Sequence, residues 1–132
     1  LDRIDIHIEI VPVPFEKISD RTPAESSLEI MKRVVKARDI QVERFKDTPG
    51  VYSNAQMSSK LLNKYASPDE AGLKLLKIAM ERLSLSARAY DRILKVARTI
   101  ADLNGDEKVL SSHLAEAINY RNLDRETWAA QR

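Results

Sequence analysis

The 132-residue sequence predicts a mainly α-helical bundle of about four main helices, led by one short β-strand. Three observations predict it. Apolar residues recur at steps of three and four through most of the chain, which places them on one face of a helix. The composition suits helices, with only three glycines, aromatics at 5% and abundant Leu, Ala, Lys, Arg and Glu. Strict alternation of apolar and polar residues marks residues 4–10, and no second run of comparable strand character follows.

Residues 4–10 read IDIHIEI, with Ile4, Ile6, Ile8 and Ile10 on one face and Asp5, His7 and Glu9 on the other. Val11-Pro12-Val13-Pro14 ends the run, because proline cannot donate to a ladder and restrains the residue before it. The strand is expected to be an orphan, loose or packed against helices, with its sheet upstream of Leu1. A start inside a patterned segment, without Met, reads as a piece cut from a longer protein.

After a short polar connector, Thr22-Pro23-Ala24-Glu25 reads as a capping box with proline at the first helical position. The helix is expected to run to about Phe45, with Leu28, Met31, Val35, Val42 and Phe45 on a heptad-like stripe. Asp47-Thr48-Pro49-Gly50-Val51 is a turn. A shorter helix follows from Asn54 or Ala55 to Tyr65, with Met57, Leu61 and Leu62 inward. Ser67-Pro68-Asp69-Glu70 caps the next helix, which runs to about Leu83 through Leu75, Leu76, Ala79 and Met80. Gly72 costs that helix about 1 kcal/mol relative to alanine, which points to close packing there.

The strongest helical pattern is residues 86–103, SARAYDRILKVARTIADL. Tyr90, Ile93, Leu94, Ala97, Ile100 and Ala101 share one face, and Arg88, Arg92, Lys95 and Arg98 fall mostly outside it. Asn104-Gly105 is its stop, with glycine suited to a left-handed cap. Val109 and Leu110 anchor the next turn, Ser111 or Ser112 caps a last helix to about Arg121, and Leu114, Ala117 and Ile118 point inward. The tail from Asn122 is polar apart from Leu123 and Trp128, and is expected to fray unless Trp128 finds a pocket.

Composition narrows the functional classes. Twenty-two Lys and Arg against twenty Asp and Glu leave a net charge of +2, too balanced to argue for nucleic acid from charge alone. With no cysteine, the chain can have no disulfide, thiolate zinc site or cysteine nucleophile. No apolar run approaches the ~20 residues of a membrane span. No Gly-rich phosphate loop, HExxH or nucleophile elbow is present, so the chain by itself offers no complete active site.

Arg88 is the most informative single residue. It lies in the first turn of its helix, where the macrodipole favours acids over cations by about 0.3–1 kcal/mol. An arginine beside open backbone N–H groups suits a bound anion, because a helix N-terminus is already a phosphate site. The bland alternative is an arginine reaching solvent or pairing with Asp91 or a more distant acid. Lys32, Arg33, Lys36, Arg38 and Arg44 make the first long helix the most basic part of the chain, which ordinarily means a solvated face. Asp5, His7 and Glu9 are spaced ~6–7 Å apart along a strand, too far to converge on one metal ion without other ligands. His113, near a helix start, reads as a surface residue of the cap region, and no metal site is expected.

Taken together, LDRIDIHIE at residues 1–9, LSARAYDRILKVARTIADL at 85–103 and HLAEAINYR at 113–121 resemble the C-terminal part of the magnesium chelatase-like AAA+ ATPases of the ComM/YifB group. The residues SNAQM at 53–57 are a weaker landmark between them. The resemblance implies that residues 1–14 end an AAA+ core, residues 15–121 form its helical lid, and residues 122–132 are a polar tail. It implies an arginine finger at Arg3, acting in trans on a neighbouring subunit's nucleotide, and a sensor-2 arginine at Arg88 on the γ-phosphate.

It also implies ATP and Mg2+ as cofactors of the full-length protein, none held by this chain alone, and no ATP hydrolysis by the chain by itself. Its partners would be its own AAA+ core and the neighbouring subunits of a ring, expected to be hexameric, without a membrane and in the cytoplasm. Function would lie in DNA processing or competence, with hydrolysis coupled to ring motion. Two other classes fit the residues: a DNA-binding module using Lys32, Arg33 and Lys36, and a protein–protein interaction bundle with no nucleotide role.

Overall fold

A computed structural model describes residues 4–10, 12, 14–19 and 24–121. These form a helical bundle, and no strand occurs among the described residues. Helix α1 is a single turn, Phe15–Ile18, entered from Pro14. Helix α2 spans Ser27–Arg44, starting later than the expected capping box because Ser26 Oγ accepts the N–H of Glu29 at 3.2 Å. Glu25 pairs with Arg33, and Thr22 and Pro23 lie outside the described residues.

The expected helix from Asn54 to Tyr65 is divided. A 3-10 turn, Asn54–Gln56, precedes α3, Ser59–Tyr65, because Met57 is extended and buried while Ser58 Oγ caps α3 through the N–H of Leu61 at 3.3 Å. Helix α4, Glu70–Leu83, is capped by Asp69, whose carboxylate accepts from the N–H of Gly72 at 2.8 Å. Helix α5, Ala87–Asn104, is capped by Ser86 through the N–H of Ala89 at 3.1 Å. Gly105, at φ 74°, supplies the left-handed stop that its position predicts.

Helix α6, Ser111–Asn119, starts without the expected serine cap. His113 instead reaches back, its Nδ1 accepting the N–H of Leu110 at 2.9 Å and its Nε2 lying 2.8 Å from Asp106. The surface position expected for His113 is corrected accordingly: it is buried, acting as the third-position partner that Glu or Gln supplies in a capping box.

The core is built around α5. Its inward face carries Ile93, Leu94, Ala97, Ile100 and Ala101, as the spacing predicts, whereas Ala89 is buried and Tyr90, expected on that face, is only partly buried against the core. It packs against α2, α3, α6 and the 3-10 turn, and α4 packs on α6. At Gly72, α4 lies tight against Leu114 of α6. A Cβ there would lie 2.7 Å from Leu114 Cδ1 and 3.0 Å from Pro68 Cβ. Because Leu114 is fully buried it has little room to yield. Gly72→Ala should therefore lose stability despite a helix-propensity gain of about 1 kcal/mol, since overpacking typically costs about 1–3 kcal/mol. Urea denaturation should show a net loss of about 1 kcal/mol; a net gain would mean the α4–α6 contact is looser than this.

Two apolar patterns do not enter the core. The α2 stripe fails at Leu28, Met31, Val35 and Val42, all of which are exposed; Phe45 alone of that set is buried. The helix docks instead through Ala37, Gln41 and Phe45, with Arg44 partly buried, because the surface of α5 that it meets carries a buried carboxylate. The alternating segment 4–10 has no ladder partner among the described residues. It lies against α5 and α6, with the N–H of His7 donating to Tyr120 O at 2.6 Å and Arg121 Nη1 donating to Ile4 O at 2.6 Å. The isoleucines stay substantially exposed and His7 turns inward, contrary to expectation, while Asp5 and Glu9 stay exposed as a solvated face predicts.

Candidate functional site

The first turn of α5 differs from that of the other long helices. Helices α2 and α4 place Glu29 and Glu70 in their first turns, whereas α5 has no acid there and carries Arg88. Ser86 takes the N–H of Ala89 through its hydroxyl and that of Tyr90 through its carbonyl. The N–H groups of Ala87 and Arg88 are the remaining donors of this helix end.

Arg88 is exposed and has no ion pair or side-chain hydrogen bond to any described residue. Asp91, the nearest acid in sequence, accepts from Ser59 Oγ at 3.4 Å instead. Arg92, one turn on, is held 2.5 Å from Asp5. The arrangement can take an anion at low cost: the cation, the open N–H groups and the helix dipole all favour negative charge at one place.

Behind this end, α5 is fixed by a buried polar network. Asp102, with a fully buried side chain, receives Arg44 in a two-pronged pair at 2.6 and 2.8 Å. It also receives Arg98 Nη2 at 3.1 Å and Asn54 Nδ2 at 2.9 Å. Asn54 in turn donates its backbone N–H to Gln41 Oε1 at 2.9 Å and accepts from Arg44 at 2.9 Å. Arg98 further donates to the carbonyls of Tyr65, Asp106 and Glu107 at 3.2, 2.7 and 2.8 Å. Burial pushes the Arg98 guanidinium below its ordinary value, and Asp102 opposes that shift. Arginine's ordinary value is so high that the group stays charged. These bonds join α2, the 3-10 turn, the end of α3 and the loop after α5 to one helix.

The other expected site residues are scattered. Lys32 and Arg33 face Glu29 and Glu25 respectively, so two of the three cations on the basic face of α2 already have acid partners. Lys36 is exposed on the same half of the helix. Arg3 lies outside the described residues. Asp5 is engaged with Arg92, and His7 is buried, so these two face different surroundings.

Residues 24–121 match the family model described as magnesium chelatase, subunit ChlI C-terminal. The chain belongs to this family. Competence protein ComM of Haemophilus influenzae is 39% identical over 95% of the chain. The YifB proteins of Escherichia coli and Salmonella typhimurium are 37% and 36% identical, also over 95% of it. The chain spans 24% of the length of each of these relatives.

Within the magnesium chelatase C-terminal fold, the segments that carry the resemblance separate into two kinds of position. Of the arginines in α5, Arg98 is buried and structural, while Arg88 is exposed and unpaired among the described residues. Both His113 and Arg121 of the last segment are buried. Sequence spacing finds Arg88 through its conflict with the helix dipole but overlooks Asp102. The same dipole rule could have flagged it, because an acid in the last turn of a helix is equally misplaced.

Proposed function

We propose that this chain is the helical lid of an AAA+-type ATPase, with Arg88 reading the terminal phosphate of bound ATP. The observation that carries this reading is an exposed arginine, unpaired among the described residues, at the acid-free N-terminus of the helix on which the whole domain is built. Left without an anion, that placement costs the fold about 0.3–1 kcal/mol. An anion converts the same residue into a charge-assisted contact worth about 1.5–3 kcal/mol.

In the full-length protein, Arg88 and the N–H groups of Ala87 and Arg88 would hold phosphate oxygens. Bound Mg2+ would neutralise charge on the transferred group. A phosphate drawn toward Arg88 pulls on α5, and the network around Asp102 makes the bundle follow as one body. Arg3 would act in trans on the nucleotide of the next subunit in a hexameric ring. Membership of ComM-type proteins extends the reading to DNA processing in competence. The basic face of α2 supports direct DNA contact less well, since Glu29 and Glu25 already pair with Lys32 and Arg33.

The test is Arg88→Ala in the full-length protein. Nucleotide affinity is expected to fall about tenfold or more, the equivalent of one charge-assisted bond. Folding stability of the 132-residue chain should be unchanged or rise by a few tenths of a kcal/mol as the dipole conflict is relieved. Unchanged nucleotide affinity and turnover would instead favour an interaction bundle with no nucleotide role.

A further inference from the structure

The first part of α2, residues 27–36, is exposed throughout, and Ala37 is the first residue of the helix to enter the core. About 15 Å of helix therefore stands clear of the bundle, at ~1.5 Å per residue. A helical stretch that short is marginal in water without a packing partner. Nor is its sequence that of a solvated rod. Leu28, Met31, Val35 and Val42 fall at the a and d positions of a heptad repeat, and they are 55, 56, 48 and 61% exposed. This seam lies beside the face through which Ala37, Gln41 and Phe45 dock on the bundle, so docking leaves it uncovered.

Charge and shape both say what covers it. The heptad position flanking the seam holds Glu25, Lys32, Asp39 and Lys46, alternating in sign. Turned antiparallel on itself about a two-fold axis near Lys36, this row matches every acid with a base. Glu25 meets Lys46 of a second copy and Lys32 meets its Asp39, and symmetry makes each pairing twice. A parallel pair would set the same row against Ser27, Val34 and Gln41, which offer no opposite charge. The contacts these groups make within one chain, Lys32 to Glu29, Arg33 to Glu25 and Lys46 to Glu43, join exposed side chains and exchange at little cost. As for shape, the end of α2 and the turn after it form a hollow of about 350 Å³ lined by Val42, Thr48, Pro49, Val51 and Tyr52. The register that pairs the charges sets Met31 opposite Val42 and brings Leu28 to the mouth of this hollow. The projecting half of each helix thus fills the hollow of the other.

We propose that α2 is a pairing helix whose partner is α2 of a second copy of this chain. The two pack antiparallel, with Leu28, Met31, Val35 and Val42 as the seam and the Lys32–Asp39 and Glu25–Lys46 pairs along its rim. Arg38 takes the remaining position of the seam, where its stem covers Val35 of the second copy and its guanidinium stays in water. The contact is isologous and closes at two copies. It uses no residue of the Arg88 site and stands or falls apart from the nucleotide reading.

Sedimentation velocity of the 132-residue chain should show a concentration-dependent dimer by about 100 μM. Val35→Glu sets two like charges at the centre of the seam and should raise the dimer Kd about a hundredfold or more. Because Val35 is exposed, its circular dichroism and urea midpoint below the dimer Kd should match those of the parent. Lys32→Glu and Asp39→Lys should each raise Kd about tenfold, and the double variant should come back to within about threefold of the parent. Orientation is read by disulfide formation, since the chain has no cysteine of its own. A mixture of Met31→Cys and Val42→Cys copies should cross-link one to the other and neither to itself, because only the mixed pair comes within disulfide reach. A chain that stays monomeric, a double variant no better than the single ones, or self-cross-linking of Met31→Cys, which marks a parallel pair, would each overturn the proposal. In the full-length protein, amide exchange at residues 27–36 should slow as protein concentration rises, and Val35→Glu should abolish that dependence. Slow exchange that is equal at every concentration and in both proteins would mean that another part of the same polypeptide covers the seam, and would overturn the proposal as well.

Discussion

Asp102→Ala is expected to remove about 3–5 kcal/mol of folding stability, the cost of breaking a buried charge pair by deleting one partner. Asp102 is the only carboxylate within ion-pairing distance of both Arg44 and Arg98 among the described residues, and Asn54 also donates to it. Its removal leaves two nearly buried guanidiniums facing each other without a counter-charge. For a domain whose total stability is of order 5–15 kcal/mol, that loss would leave a substantial unfolded fraction. The control is Asp5→Ala, whose partner Arg92 is partly exposed; it should cost no more than about 1 kcal/mol. Urea denaturation of both variants checks the contrast. An Asp102→Ala loss below 1 kcal/mol would mean that water, rather than Asp102, satisfies the two arginines.

The network also explains which parts of the fold were legible in the sequence. The α5 stripe emerges because apolar period is a local property: Ile93, Leu94, Ala97, Ile100 and Ala101 must face one way whatever surrounds them. Ser86 and Gly105 follow from equally local chemistry at the helix ends. Gly72 could be flagged because a glycine inside a helix needs a reason, and Leu114 supplies it.

Docking faces were harder to read. A pattern rule assigns α2 its most apolar stripe, yet the helix docks through Ala37, Gln41 and Phe45, with Arg44 beside them. That choice depends on Asp102, fifty-eight positions away from Arg44 in sequence. Charged residues counted as solvent-facing hide Arg98 for the same reason. The alternating isoleucines at 4–10 have a strand's period, but a strand needs a ladder. Where no other strand is described, their backbone groups turn to Tyr120 and Arg121. The candidate site divides likewise. Arg88 was visible through a local electrostatic conflict, whereas the rigid support that makes it useful is assembled from four separate elements.

Arg98→Met should cost about 2–4 kcal/mol, and the comparison with Arg98→Lys shows why. Arg98 is nearly fully buried and meets acceptors in divergent directions: Tyr65 O and Glu107 O from Nη1, and Asp106 O with Asp102 from Nη2. Methionine fills the volume but leaves three carbonyls without this donor, each costing about 1–3 kcal/mol if it stays buried. Relief of a desolvated cation offsets part of that. Lysine keeps the attraction to Asp102 but concentrates its donors at one point on a flexible stem, where arginine presents a planar fork. It can meet Asp102 or the loop carbonyls, not both, and should recover less than half of the loss. Hydrogen exchange locates the effect. Both variants should lose protection after the end of α5, around Asp106 to Leu110, because Arg98 holds the carbonyls of Asp106 and Glu107 there. Near-complete rescue by lysine would show that charge, rather than the fork, closes this loop.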